Sequence, residues 1–126
     1  MPFPLLLHRL LSFGRRSELL GLDYLRSQGY RIAASPYRTT KGEVDIVAWD
    51  GDILVFIEVK ARRSSDPPEN AVGIRKRERI IRAAEAYISK HSYQEMTCRF
   101  DVLAITDTGK RRPEFRLLRD AFRMYN

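Results

Sequence analysis

Two segments rich in valine and isoleucine, Glu43 to Trp49 and Ile53 to Lys60, carry three carboxylates and a lysine: Glu43 and Asp45 on the first, Glu58 and Lys60 on the second. Alternate residues of a strand point to one face, so each segment presents its two charges on the same side. Asp50-Gly51 between the segments is a hairpin signal. A two-residue turn there sets Trp49 opposite Asp52, Asp45 opposite Phe56 and Glu43 opposite Glu58, and all four charges converge on one face. A four-residue loop from Trp49 to Asp52 keeps this pairing. A loop of three or five residues would send the two charged pairs to opposite faces.

Facing carboxylates repel, and the cost grows where the strands are otherwise apolar. A hard divalent cation such as magnesium or manganese takes carboxylate oxygens and retains water, so Asp45 and Glu58 are candidate ligands. The Lys60 ammonium could help deprotonate a bound water, or stabilise charge building on a phosphate. Together these groups are equipment for phosphodiester hydrolysis. Glu18 lies one helical turn before Leu22 and could reach the same end of the sheet. Blander accounts exist for each: a Glu-x-Lys triplet is usually a solvated strand edge, and an acid early in a helix complements the helix dipole.

The elements that must position these groups follow from periodicity. Leu19, Leu22 and Leu25 predict a helix over about Phe13 to Gln28 that stops at Gly29, and Tyr30 to Ala34 predicts a strand closed by Ser35-Pro36. The polar stretch 61–73, with Pro67-Pro68, predicts a mobile surface loop with Arg62 and Arg63 at its start. Ile74 to Lys90 predicts an amphipathic helix, with Ile74, Ile81, Ala84 and Ile88 on one side and Arg75, Arg79 and Arg82 on another. Arg99 to Ile105 predicts a buried strand, Asp107 to Pro113 a turn, and Glu114 to Arg119 a last strand. The order is α-β-β-β-α-β(-β), an α/β domain with a central mixed β-sheet flanked by helices.

A chain of 126 residues, 44% hydrophobic, fits a single domain over 1–126, with 1–12 expected to be a flexible N-terminal segment. No apolar run is long enough to span a bilayer, and His8 and Arg9 interrupt the opening leucines, so a cytoplasmic protein is expected. One cysteine, Cys98, and two histidines exclude a disulfide scaffold and a zinc finger. Of the 23 basic residues 18 are arginine, and the net charge is +7, which points to a polyanion. Nucleic acid is the first partner to consider, although an acidic protein or anionic lipid would feel the same charge. Arg62, Arg63, Arg75, Lys76, Arg79 and Arg82 are the candidate phosphate contacts. A solvated helix face paired with Glu78 and Glu85 explains the arginine stripe equally well. Asp101, beside Arg99 in the buried strand, is expected to be a structural partner.

Gly42-Glu43-Val44-Asp45-Ile46-Val47, Phe56-Ile57-Glu58-Val59-Lys60-Ala61-Arg62, Lys76 and Arg99-Phe100-Asp101-Val102 together resemble the bacterial YraN-type family, over about Glu18 to Ile105. That family is similar in pattern and expected fold to the PD-(D/E)xK nuclease superfamily, particularly the archaeal Holliday junction resolvases. The resemblance implies a restriction-endonuclease-like core in which Asp45 and Glu58 bind metal, Lys60 is the catalytic lysine and Glu18 is the helix glutamate completing the site. Glu43 has no required counterpart. The chain departs from the family pattern at Ser17, where a glycine is usual, at Gly21, where an alanine is usual, and at Pro36-Tyr37-Arg38, which lacks an expected asparagine.

The expected activity is that of a magnesium- or manganese-dependent endonuclease acting on DNA in preference to RNA, with branched or recombination intermediates as substrates. In that scheme Asp45, Glu58 and the Val59 carbonyl hold the cation, Lys60 positions water and Glu18 assists. Whether two copies pair is left open. The alternatives are a non-catalytic nucleic-acid-binding module on the same scaffold, and an adaptor for an acidic protein.

Overall fold

A computed structural model describes residues 13–63 and 72–124. Helix α1 (Phe13–Ser27) leads into strand β1 (Arg31–Ala34), then the short strands β2 (Tyr37–Arg38) and β3 (Glu43–Val44). Strands β4 (Ile46–Asp50) and β5 (Ile53–Arg63) follow, then helix α2 (Ile74–His91), β6 (Cys98–Asp107) and β7 (Glu114–Phe122). Five strands form one mixed sheet in the order β1-β4-β5-β6-β7, in which only β5 and β6 run parallel, while β2 and β3 form a separate antiparallel ribbon. No helix among the described residues is long and apolar enough to cross a membrane.

The central strands are apolar on both faces because a helix covers each face. Leu22 and Leu25 of α1 pack with Ile46, Ala48, Val55, Ile57, Leu103 and Ile105 on one face. Ile80, Ala83, Ala84 and Tyr87 of α2 pack with Val47, Leu54, Phe56, Phe100 and Val102 on the other. Each large side chain buried this way contributes roughly 1.5–3 kcal/mol, which accounts for the layered arrangement without a disulfide. Gly21 is pressed against the sheet: a Cβ there would meet Leu103 Cδ2 at 3.1 Å.

The far end of the sheet is held by a buried polar network. Asp101, fully buried, accepts from Arg99 Nε at 2.8 Å, from the Tyr30 hydroxyl at 3.0 Å and from the Asp120 backbone N–H at 3.0 Å. Arg99 also donates to Asp50 at 2.9 Å, and Arg119 donates to the Tyr30 hydroxyl at 3.2 Å. Asp101 is thus the structural partner expected of it. A buried carboxylate is tolerated when its oxygens are satisfied in this way.

Four sequence expectations are corrected. The hairpin turn is Gly51-Asp52, since Asp50 pairs with Ile53 and Trp49 with Leu54. Arg62 and Arg63 belong to β5, which continues to pair with β6 as far as Arg63 and Asp107, so the polar loop starts later than expected. Ile74 is 73% exposed, and the buried face of α2 is instead Ile80, Ala83, Ala84 and Tyr87. The first segment of the hairpin is broken in two at Asp45, which lies between β3 and β4. The N-terminal segment 1–12 and most of the expected loop, 64–71, lie outside the described residues.

Candidate functional site

The shifted turn keeps the parity on which convergence depends. With Ile46 opposite Ile57, one further step sets Asp45 across from Glu58. There the first strand bends, so that Asp45 turns its carboxylate onto the neighbouring backbone: Oδ2 accepts the Val59 N–H at 2.8 Å. The bend also redirects the chain before it. Val44 and Val47, which strict alternation would place on opposite faces, both pack in the cluster under α2. The β2–β3 ribbon therefore leans on α2, and it does so closely enough that a Cβ on Gly42 would run into the Arg79 carbonyl. Only glycine permits that approach, which brings Glu43 to the mouth of a cleft.

That cleft, of about 450 Å³, is lined among the described residues by Glu43, Asp45 and Glu58 on the strand side and by Arg75, Lys76 and Arg79 of α2. Glu58 is its buried member, 4% exposed. Burial first, then the hydrogen bond and the charge of Asp45, push the Glu58 carboxyl up to about 8, against the opposing pull of Lys76. Lys76 Nζ stands 2.8 Å from Glu58 Oε2. The direction is poor, however, and Oε2 remains a buried oxygen without a well-aligned donor. Lys76 itself is raised above the ordinary lysine value, chiefly by its bond to Glu58. Its side chain is 64% exposed, so solvent screens the pair and the charge is only partly neutralised.

The start of α2 is unusual for a helix. Its first turn has no acidic residue and Gly73 offers no side-chain cap, while Arg75, Lys76 and Arg77 sit at the positive end of the helix dipole. Arg77 is partly accommodated by donating to the Val72 carbonyl at 2.7 Å and lying over the Phe122 ring. Arg75 and Lys76 instead face the carboxylates. The arrangement is a strongly charged cleft with two adjacent carboxylates at its floor and cations along one wall.

The sequence candidates divide accordingly. Asp45 and Glu58 are brought together, and Glu43 joins the cleft rim, where Arg38 Nε donates to it at 3.1 Å. Lys76, Arg75 and Arg79 line the opposite wall, whereas Arg82 is exposed one helical turn farther on. Lys60, two residues beyond Glu58 on the same strand, is half-buried and is not among the residues lining the cleft. Glu18 lies on α1, the helix covering the opposite face, and pairs with Arg15 at 3.1 Å. Sequence reasoning gave Lys76 to phosphate and missed that it is the counter-ion of Glu58; the signal available was its helical spacing with Arg75 and Arg79.

Asp45 and Glu58 fit a hard divalent cation: they are adjacent hard-oxygen donors, and Glu58 holds an oxygen with no aligned donor. Among the described residues no group of three or more His, Cys, Asp or Glu is placed so that it could hold a metal ion, so water would have to complete the shell around a cation at Asp45 and Glu58.

Comparison with known proteins places this site in a family. The model of the uncharacterised protein family UPF0102 matches residues 17–105, which contain α2, most of α1, the ribbon and every residue of the cleft. The chain belongs to UPF0102. It is 46% identical over 96 residues to a UPF0102 protein of Chlorobium limicola, covering 75% of this chain and 74% of the relative. It is 42% identical over 113 residues to one of Solibacter usitatus, covering 86% and 84%. A third, from Arthrobacter, is 44% identical over 108 residues, covering 84% of this chain and 92% of the relative. The YraN-type resemblance is thereby borne out. The UPF0102 match begins at Ser17 and ends at Ile105, leaving β7 and the start of α1 outside it.

Proposed function

We propose that this UPF0102 protein is a divalent-cation-dependent endonuclease of the PD-(D/E)xK type that hydrolyses phosphodiester bonds in DNA. The observation that carries the reading is the buried Glu58 carboxyl beside the half-buried Asp45, with Glu58 Oε2 lacking an aligned donor, set against the cationic first turn of α2. A strand pair holding two carboxylates in a low-dielectric floor is costly for the fold alone, and such exceptions concentrate at functional sites. Asp45 and Glu58 would hold the cation, with the Val59 carbonyl as a third protein donor. Bound there, magnesium or manganese supplies Lewis-acid polarisation of the phosphoryl oxygen and a more acidic water.

The remaining roles fall to the chain's own groups. Lys60, on the same strand as Glu58, orients water or faces the charge that builds on the phosphate, whereas Glu18, paired with Arg15 on the helix of the other face, is left outside the site. Arg75, Lys76, Arg79 and Arg82, with Arg62 and Arg63 at the end of β5, grip the backbone of the nucleic acid, an attraction that weakens steeply with salt. Branched or recombination intermediates are the substrates to try first.

A second reading, a nucleic-acid-binding module without turnover, is favoured by one observation: Lys76 already stands at Glu58, where a cation would sit. One experiment separates the two. End-labelled four-way-junction, flap, single-stranded and linear duplex DNA is incubated with protein in magnesium, manganese or EDTA, beside Asp45→Asn and Lys60→Ala. Cleavage that disappears in EDTA and in both variants supports the nuclease. Salt-sensitive binding without cleavage under every condition supports the module, and absence of both removes nucleic acid as the partner.

A further inference from the structure

A second charged recess lies away from the carboxylate cleft, between the early part of α1 and the turn joining β6 to β7. It measures about 140 Å³ and is lined by Arg16, Ser17, Asp107, Lys110 and Arg111, with Ile105 contributing to its apolar part. Three cations face one carboxylate. That carboxylate is engaged locally, since Asp107 Oδ1 accepts the Gly109 N–H at 2.9 Å and so shapes the turn. Gly109 has φ +78°, the left-handed conformation that lets the chain reverse there and swing Lys110 and Arg111 back toward α1. Ser17 is 2% exposed, so it belongs to the inner wall. At about 30 Å³ per water, the volume holds a few waters or one tetrahedral oxyanion with part of its shell.

The recess is connected to the cleft by β5. The strand runs from Glu58 to Arg63, and its last pairs with β6 are Arg62 with Thr106 and Arg63 with Asp107. Arg63 lies on the same side of the strand as Val59, which packs under α1, so the basic strand end arrives beside the recess.

We propose that this recess takes a second backbone phosphate of the nucleic acid, apart from the phosphate held at the Asp45–Glu58 cleft. The proposal rests on the reading given under Proposed function and adds a place where the duplex is anchored. Arg16 and Arg111 have the planar forks that suit phosphate oxygens, and Lys110 adds a point charge.

The test is binding of a labelled DNA duplex in EDTA across a salt series, using Lys110→Ala, Arg111→Ala and, as a control, Lys90→Ala. Lys110 and Arg111 are exposed turn residues and Lys90 is exposed in the last turn of α2, so all three variants keep the fold. Lys110→Ala and Arg111→Ala are expected to weaken binding several-fold and to lower the salt slope by about 1, while Lys90→Ala follows the wild type. Variants of the turn that bind like Lys90→Ala overturn the proposal. A wild-type chain that binds no DNA sinks both this proposal and the nuclease reading. Turn-dependent binding without cleavage in magnesium keeps the anchor and ends the claim of hydrolysis.

Discussion

Replacing Glu58 by glutamine tests whether burial beside Asp45 governs this carboxyl. Folding raises its value from 4.5 to about 8, so between those limits the folded chain holds a proton that the unfolded chain releases. Stability must therefore fall as pH rises through that window. At about 1.4 kcal/mol per unit, the total loss is on the order of 5 kcal/mol, a large part of the stability of a small domain. Glutamine keeps the shape, removes the titration and resembles the protonated acid. Urea denaturation in EDTA, repeated from about pH 5 to about pH 9, should give curves for the two proteins that agree at the acid end and separate by several kcal/mol at the alkaline end, with Glu58→Gln the more stable. Parallel dependence on pH in the two proteins would refute the argument, because it would mean that Glu58 titrates normally.

Four further outcomes follow from the same contacts. Lys76→Gln removes the charge that pulls Glu58 down, so the Glu58 midpoint, read by carbon NMR of the carboxyl, should move above its wild-type position; a fall would show that Lys76 does not act on it. Gly42→Ala should cost about 1–3 kcal/mol in urea denaturation, because the ribbon must leave the Arg79 carbonyl. Gly21→Ala should stabilise by about 0.5–1 kcal/mol through the helix propensity of alanine, provided that the flexible end of Leu103 yields, and a lowered Tm would show that it does not. Asp101→Asn should destabilise by about 3 kcal/mol or more by leaving Arg99 and the Asp120 N–H poorly matched, whereas a loss below about 1 kcal/mol would show the network to be dispensable.

The sheet was legible because its strands carry a simple period and its turns carry glycine. The hairpin survived a misplaced turn, since moving it from Asp50-Gly51 to Gly51-Asp52 changes the register by an even number and leaves every side chain on its face. Helix α2 was legible as a helix but not in its orientation. Apolar residues occur on more than one side of it, and the sheet surface selects Ile80, Ala83, Ala84 and Tyr87 over Ile74. The bend at Asp45 leaves no periodic trace, because Val44 is apolar and would suit either face. For the site, same-strand and cross-strand neighbours could be inferred, which found Asp45 with Glu58. Which of two lysines reaches Glu58 depends on how a helix lies across the sheet, and that information is tertiary: Lys60 is nearer in sequence, and Lys76 makes the contact.

The cleft joins two features that are each unfavourable alone. A first helical turn bearing Arg75, Lys76 and Arg77 opposes the helix dipole, at about 0.3–1 kcal/mol for each charge. Glu58 beside Asp45 in a buried floor opposes solvation and like-charge repulsion at once. Placed facing each other, the positive helix start lowers the cost of the carboxylates and the carboxylates lower the cost of the helix start. The Asp45 bend and the glycine at position 42 are what bring them face to face, the first by breaking the strand and the second by letting the ribbon touch α2 at Arg79. The compensation is incomplete, because Lys76 is solvated and Glu58 Oε2 keeps no aligned donor. Residual negative potential at the floor and residual positive potential along the wall are therefore built into the fold, and together they favour a ligand pair of opposite sign: a cation below and a phosphate above.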